Sequence, residues 1–448
     1  MRLIKTLLAI SSFSLVVSHL ESADACGACI VSQGESTLVT GHRMVLSVSP
    51  EGTTLWDQFS YSGAPESFAW VLPTKGIVEV GLSSDALFQT LEGLTQVSIS
   101  SPIINCPPPP SCGIDSPSSA DSGGTGGGGP PVQVIAQETV GPFETVQLSS
   151  NDPDALYDWL QTHNYFVPQD LEPVIADYVA EGFNFLALKL VPGQGVDAMR
   201  PVRVTTPGAG ATLPLRMVAG GTGPVTPITL WMLGEGRYEP VNFPSFQIDQ
   251  SSLLWNWDES RSNYAELKQI GYNATSGRGW LIEAGEPVST YSIEYTLTDL
   301  VNYDQEESGY TGDPAKGVTP IDELMADLGK LYGGISPDQA WISRMTGELT
   351  REALDDDLDL GASPDQSFVP RYFEAQVSIG TPPACPSFPP CSPWEGGGTG
   401  SDLDAPAADD IWGARGGCSM GTGSGSSIVL GGLALAAALA FSRRRRRS

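Results

Sequence analysis

The chain carries one short device twice, and that repetition limits how it can fold. The first copy is Gln96-Val97-Ser98-Ile99, then Ser100-Ser101-Pro102, then Cys106-Pro107-Pro108-Pro109-Pro110-Ser111-Cys112, with a glycine-rich run at 123–129. The second is Gln376-Val377-Ser378-Ile379, then Gly380-Thr381-Pro382, then Cys385-Pro386-Ser387-Phe388-Pro389-Pro390-Cys391 and Gly396-Gly397-Gly398. Each reads as a short strand, a proline-rich loop between two cysteines, and a flexible linker. Proline has no backbone N–H and a fixed φ, so regular structure stops where each copy falls. The two copies either separate independent domains or mark two places where the chain leaves one sheet.

The ends read as targeting segments. Arg2 and Lys5 precede an apolar run from Leu7 to Val17, and Ala23-Asp24-Ala25 has the small-x-small form of a signal-peptidase site. The expected cut after Ala25 makes 1–25 a signal peptide and Cys26 the first mature residue. A lipid on Cys26 is disfavoured, because no Leu stands three positions before it. At the other end, Ile428 to Phe441 is apolar and is followed by Arg443 to Arg447. Such a stretch is short against the roughly 20 residues that cross a bilayer. With Gly425 to Ser427 and snorkelling arginines it reaches, and the arginines place the body outside. Gly417-Cys418-Ser419, a small-residue spacer, the short apolar helix and the arginine cluster together resemble the myxobacterial C-terminal sorting signal, MYXO-CTERM. That resemblance covers 418–448. It implies cleavage near Cys418 by a sortase-like membrane protease and display at the cell surface, membrane-anchored or lipid-anchored. The plainer alternative is a permanent tail anchor.

Seven cysteines are present. Setting Cys418 with the tail leaves Cys26, Cys29, Cys106, Cys112, Cys385 and Cys391 in three close pairs, which in an exported chain read as disulfides. A bridge needs Cα atoms within about 7 Å. Four prolines favour a polyproline II path of about 3.1 Å per residue, which holds Cys106 and Cys112 apart unless Ser111 and a cis-proline supply a turn. Local closure, pairing between the copies around a loop of more than 250 residues, and pairing with Cys26 or Cys29 all remain open. Cys26-Gly27-Ala28-Cys29 has the spacing of a zinc half-site or a redox motif. His42 and His163 are not spaced to complete a zinc set, and the strand-then-helix context of a redox motif is missing. No cofactor is expected.

The charge excludes one class of partner. There are 52 acidic residues against 23 Lys and Arg, for a net charge of −29, and seven of the basic residues lie in the two ends. An acidic body repels nucleic acid and anionic membrane surfaces. Its plainest meaning is a solvated exported surface. The 51 Gly and 36 Pro gather in the linkers. The expected organisation is therefore a strand-rich N-terminal part at 26–105, a Pro/Gly linker at 106–131, a main body at 132–391, an acidic linker at 392–417 and the tail.

Apolar patterning predicts strands at 36–49, 53–61 and 68–73, and a helix at 85–94 capped by Ser84. A strand at 132–139 follows, then helices opening at Asp152-Pro153-Asp154 and at 169–181. Strands are expected at 183–191, 200–205, 213–219, 228–233, 238–243, 280–283 and 290–298. Residues 319–354 read as helical and 368–379 as strand. Strands dominate and helices come as insertions, so the class is α+β. Ser67-Phe68-Ala69-Trp70-Val71-Leu72-Pro73 followed by Ser84-Asp85-Ala86-Leu87-Phe88 resembles the domain-of-unknown-function 2330 family of exported bacterial proteins. Arg200-Pro201-Val202-Arg203, Leu213-Pro214-Leu215-Arg216 and Trp231-Met232-Leu233-Gly234 fit the same pattern. The resemblance implies export and transfers no catalytic residue.

The search for chemistry yields little. No H-E-x-x-H, G-x-S-x-G or Walker loop is present. A non-local triad would have to use His42 or His163, which sit in a strand pattern and at a helix end, so no catalytic residue is assigned. Asp355, Asp357 and Asp359 alternate as calcium ligands do. However, Gly361 falls one place late and Gln366 stands where a bidentate Glu belongs. Trp255-Asn256-Trp257 places two indoles on one strand face, as a binding platform or as core. The expectation is an exported, surface-displayed protein that binds an unidentified ligand or is structural. An extracellular hydrolase and a calcium-dependent adhesin are the rivals.

Overall fold

The computed structural model describes residues 29–30, 38–62, 69–106, 138–165, 167–191, 199–219, 223–314, 316–385 and 387. All lie in one of the chain's two compact units; the other, 109–115 and 388–448, falls outside the described residues. So do the signal segment with Ala25, together with Cys26, Cys112, Cys391 and Cys418.

The first stretch forms β1 (Cys29–Ile30), β2 (Leu38–Ser49), β3 (Gly52–Ser62), β4 (Ala69–Thr74), β5 (Glu79–Leu82), α1 (Asp85–Thr95) and β6 (Ser98–Ser100). After the linker come β7 (Glu138–Val140), β8 (Phe143–Leu148), α2 (Pro153–Thr162), α3 (Glu172–Ala180), β9 (Asn184–Leu190), β10 (Val202–Pro207), β11 (Thr212–Leu213) and α4 (Leu215–Val218). Then follow β12 (Val225–Glu235), β13 (Tyr238–Pro240), β14 (Ser245–Phe246), β15 (Leu254–Asn256), β16 (Arg261–Ser262), α5 (Tyr264–Ala274), β17 (Trp280–Pro287) and α6 (Thr290–Tyr303). The last are α7 (Gln305–Ser308), α8 (Pro320–Tyr332), β18 (Ala340–Thr350), β19 (Leu358–Ala362), β20 (Tyr372–Glu374) and β21 (Val377–Ile379).

Two sheets organise these elements. The larger has eight strands in the order β14-β17-β18-β12-β2-β3-β10-β5, and the smaller has five in the order β1-β4-β9-β8-β7. Strands from both sides of the Pro/Gly segment interleave: β2 lies beside β12 in parallel, and β3 beside β10. Side-chain alternation sends Met44, Leu46, Leu55, Val204 and Leu230 to one face, where they pack against Trp70, Leu72, Leu186 and Leu188 of the smaller sheet. Val45, Trp56, Trp231 and Leu233 face the other way, onto Phe88 and Leu91 of α1, Ile293 of α6 and Leu328 of α8. The far face of the smaller sheet takes Leu156 of α2 and Ile175 of α3. The order is helices, sheet, sheet, helices, an α+β fold rich in strand.

Local signals set the helix starts. Ser84 accepts from the Ala86 N–H ahead of α1, and Asp152 accepts from Asp154 and Ala155 ahead of α2. Thr319 and Asp322 form a reciprocal capping box at α8, with Pro320 in its first turn.

Three stretches depart from expectation. Residues 290–298, read as strand, begin α6. Ile293, Leu297 and Val301 recur at helical spacing and are buried, and Ser289 caps the start. Its threonines and tyrosines favour strands, but packing on the sheet overrides that preference. Residues 340–350, read as helical, form β18, which lies between β12 and β17. Burial on both faces erases the two-residue alternation that would have marked it. Residues 213–219 break at Pro214 into two-residue β11 and the short helix α4. Residues 264–274, unassigned from sequence, form α5, in which Tyr272 alone is buried.

The two copies of the opening device meet. β6 of the first pairs in parallel with β20, which immediately precedes the second copy. Cys106 is joined to Cys385 by a disulfide, with Cα atoms 5.4 Å apart across a sequence separation of 279.

Candidate functional site

The splay between the two sheets leaves a cleft of about 150 Å³. Leu46 and Leu55 of β2 and β3, Leu72 of β4 and Val204 of β10 form its walls, with Leu213 beside them. Lys75, Phe183 and Asp357 also line it. After β10 the chain turns at Gly208, whose φ of +87° suits glycine, and a side chain at Gly208 or Gly210 would meet nothing within 4 Å. The turn is pinned by Thr53, whose hydroxyl donates to the Gly208 carbonyl and accepts from the Gly210 N–H, each at 2.9 Å.

The polar groups around the cleft are mostly committed. Thr74 donates to the Gly76 carbonyl at 3.3 Å, and Thr212 donates to Asp359 at 2.7 Å. Asp357 accepts from the Tyr178 hydroxyl at 2.5 Å and from the Arg216 guanidinium at 2.8 and 3.1 Å. Arg216 also grips both oxygens of Glu181 at 2.8 Å and lies 4.0 Å over the Tyr178 ring. Burial, then the Asp357 charge, pushes the Tyr178 hydroxyl far up, so it stays a donor. The hydrogen bond to Glu181, above all, raises Arg216 further. Lys75 is different: its ammonium lies 4.9 Å from the Phe183 ring.

Behind the cleft sits a void of about 20 Å³ that shares Leu55, Leu72, Leu213 and Pro214 with it and adds His42 and Asp57. The register places His42 opposite Phe59 and Met44 opposite Asp57, so His42 and Asp57 are diagonal neighbours on the same face. A bulge between Val39 and Gly41 resets the alternation just ahead of His42. His42 Nδ1 lies 2.9 and 3.1 Å from the two Asp57 oxygens, and the side chains are 0% and 2% exposed.

The opposite face of the large sheet holds two other charge clusters. Buried Asp327 accepts from Trp56 at 2.6 Å, Tyr310 at 2.8 Å, Arg203 at 3.0 Å and the Ser83 hydroxyl. Buried Glu283 accepts from Arg344 at 2.8 Å, Lys268 at 3.0 Å and Tyr264 at 3.1 Å, and Arg344 reaches Glu92 at 2.7 Å. Burial alone would raise Glu283, but Lys268 and Arg344 overrule it and leave the carboxyl below its usual range. Glu283 and Tyr264 border a cavity of about 190 Å³.

The residues singled out from sequence are dispersed. Asp355 ends a short 3-10 turn, Asp357 is held by Arg216, and Asp359 accepts from Thr212. Among the described residues no three His, Cys, Asp or Glu side chains converge as a metal site. His163 caps α2, its Nδ1 2.8 Å from the Trp159 carbonyl and its ring stacked 3.9 Å from that indole. Trp255 and Trp257 meet edge to face at 6.1 Å. Cys29 lies in β1, paired with Trp70. The cleft itself went unread, because its walls are ordinary core leucines and valines from widely separated segments. The one local hint was Lys75 directly after the buried strand β4.

A family model described as an uncharacterized protein conserved in bacteria, DUF2330, matches residues 20–351. No curated protein and no solved structure matches. Among the described residues no helix is long and apolar enough to cross a membrane.

Proposed function

The chain belongs to the DUF2330 family, and from that premise we propose that it is a binding protein of the cell exterior that takes a small apolar group into the cleft between its sheets. The cleft carries this reading. Its volume of about 150 Å³ is of the order that admits a benzene-sized group when the walls are leucine-like. Export is supported by the Cys106 to Cys385 bridge, since such bonds persist in oxidising compartments, and by the signal-like start. In this reading the tail from Cys418 holds the body at the membrane, or is exchanged by a sortase-like protease for a surface anchor.

Benzyl alcohol as a probe tests it. The wild-type protein should gain a few degrees in melting temperature at saturation, and a Val204→Phe variant, with the cleft filled, should gain nothing. Equal shifts in both would sink the reading.

One observation favours a hydrolase instead, the His42 and Asp57 pair. Its imidazole is wholly buried, and the cleft's Leu55, Leu72, Leu213 and Pro214 form the same void's walls. Ester turnover that disappears in Asp57→Asn while the fold survives would overturn the binding reading.

A further inference from the structure

The polar inventory of the cleft points to the kind of ligand it takes. Three lining threonines, Thr53, Thr74 and Thr212, already spend their hydroxyls inside the protein. Asp357 lines the cleft but faces the Arg216 guanidinium and the Tyr178 hydroxyl, so its charge is answered. Glu181, an acid that feels the Lys75 charge, is held at both oxygens by Arg216. Lys75 therefore lines the cleft as a cation whose described contact is the face of Phe183. Thr206 follows Val204 on the same face of β10 and also lines the cleft. An ammonium beside an apolar hollow pairs best with an anion whose body fills the hollow.

We propose, resting on the cleft-binding reading above, that the ligand is a small carboxylate with a benzene-sized apolar body, anchored by the Lys75 ammonium with the Thr206 hydroxyl as a second donor. The protein's net charge of −29 opposes anions at long range, so the selectivity must come from this local cation. Attraction at the mouth should weaken as salt screens it.

Titration calorimetry on the disulfide-intact protein, with benzoate and benzyl alcohol as matched probes, decides the matter. Benzoate should bind about fivefold more tightly than benzyl alcohol, a difference that one exposed ion pair supplies at most. Added salt should weaken benzoate alone. Lys75→Met should bring benzoate down to the level of benzyl alcohol without changing the latter, and Lys75→Arg should retain the preference. If the two probes bind equally in the wild type, or Lys75→Met weakens both alike, the carboxylate assignment fails and the apolar cleft stands. If neither probe binds, the cleft reading fails with it.

Discussion

The two faces of the eight-stranded sheet bury charge in different ways. On the helix-covered face, Asp327 receives four donors and Glu283 three, from strands, helices and loops far apart in sequence. Each carboxylate is well satisfied, and such networks hold elements in one arrangement at high cost if opened. On the sheet-covered face the core is apolar, holds the His42–Asp57 pair, and opens into a cleft lined by a lysine whose described contact is the Phe183 ring. Carboxylates that already hold three or four donors offer a ligand less than the open face does. That contrast, more than any motif, is the ground for proposing function on the side of the smaller sheet.

The contrast can be broken by mutation. Asp327→Ala should cost the most, about 3–5 kcal/mol in chemical denaturation, because Arg203 stays charged and buried without its partner. A loss under about 1 kcal/mol would show that the helix face is not held by this hub. Cys106→Ser comes next. The chain-entropy model allows about 5.6 kcal/mol for so long a loop, and typical bridges deliver about 2–4; unchanged denaturation by a reducing agent would remove the bridge from the argument. Asp57→Ala should cost less than Asp327→Ala, about 1–3 kcal/mol, since it removes one partner of His42 whereas Asp327→Ala strips an acceptor from four donors. Equal losses at the two sites would erase the difference between the faces.

Acid gives a graded test. Glu283 has a folded pKa below its unfolded value. Its contribution is present above the ordinary glutamate range and is lost as pH falls through the folded value. Denaturation midpoints followed downward from neutral pH should therefore decline less steeply in Glu283→Gln than in wild type. Lys75→Met should have the smallest effect on stability, within about 0.5 kcal/mol, despite its expected effect on binding. A large stability loss there would reassign Lys75 to packing against Phe183.

Much of the fold was legible where the information is local. The alternation in β2 and β3, the apolar run of β4, the caps at Ser84 and Asp152, and Pro320 at the start of α8 all announce themselves within a few residues. α6 and β18 were misread for opposite reasons. The first has strand-favouring side chains on a helical apolar stripe, and the second is apolar on both sides and shows no clean period. Among the site residues, His42 was visible as a strand histidine but its partner Asp57 was not, because the pairing depends on a hairpin register and a bulge.

The sequence by itself determined the α+β class, strands such as β2, β3, β4 and β9, the starts of α1, α2 and α8, and the even set of body cysteines. Each of these follows from backbone preferences and side chains within one or two turns of the chain. Tertiary structure decided the rest: which cysteine in the first copy meets which in the second, whether 290–303 coils or extends, and where two sheets part to leave a hollow. Those outcomes turn on contacts between residues more than a hundred positions apart, such as Cys106 with Cys385 and Leu55 with Val204. A local pattern carries no record of them, because the energy that selects them arises only when distant surfaces are buried together.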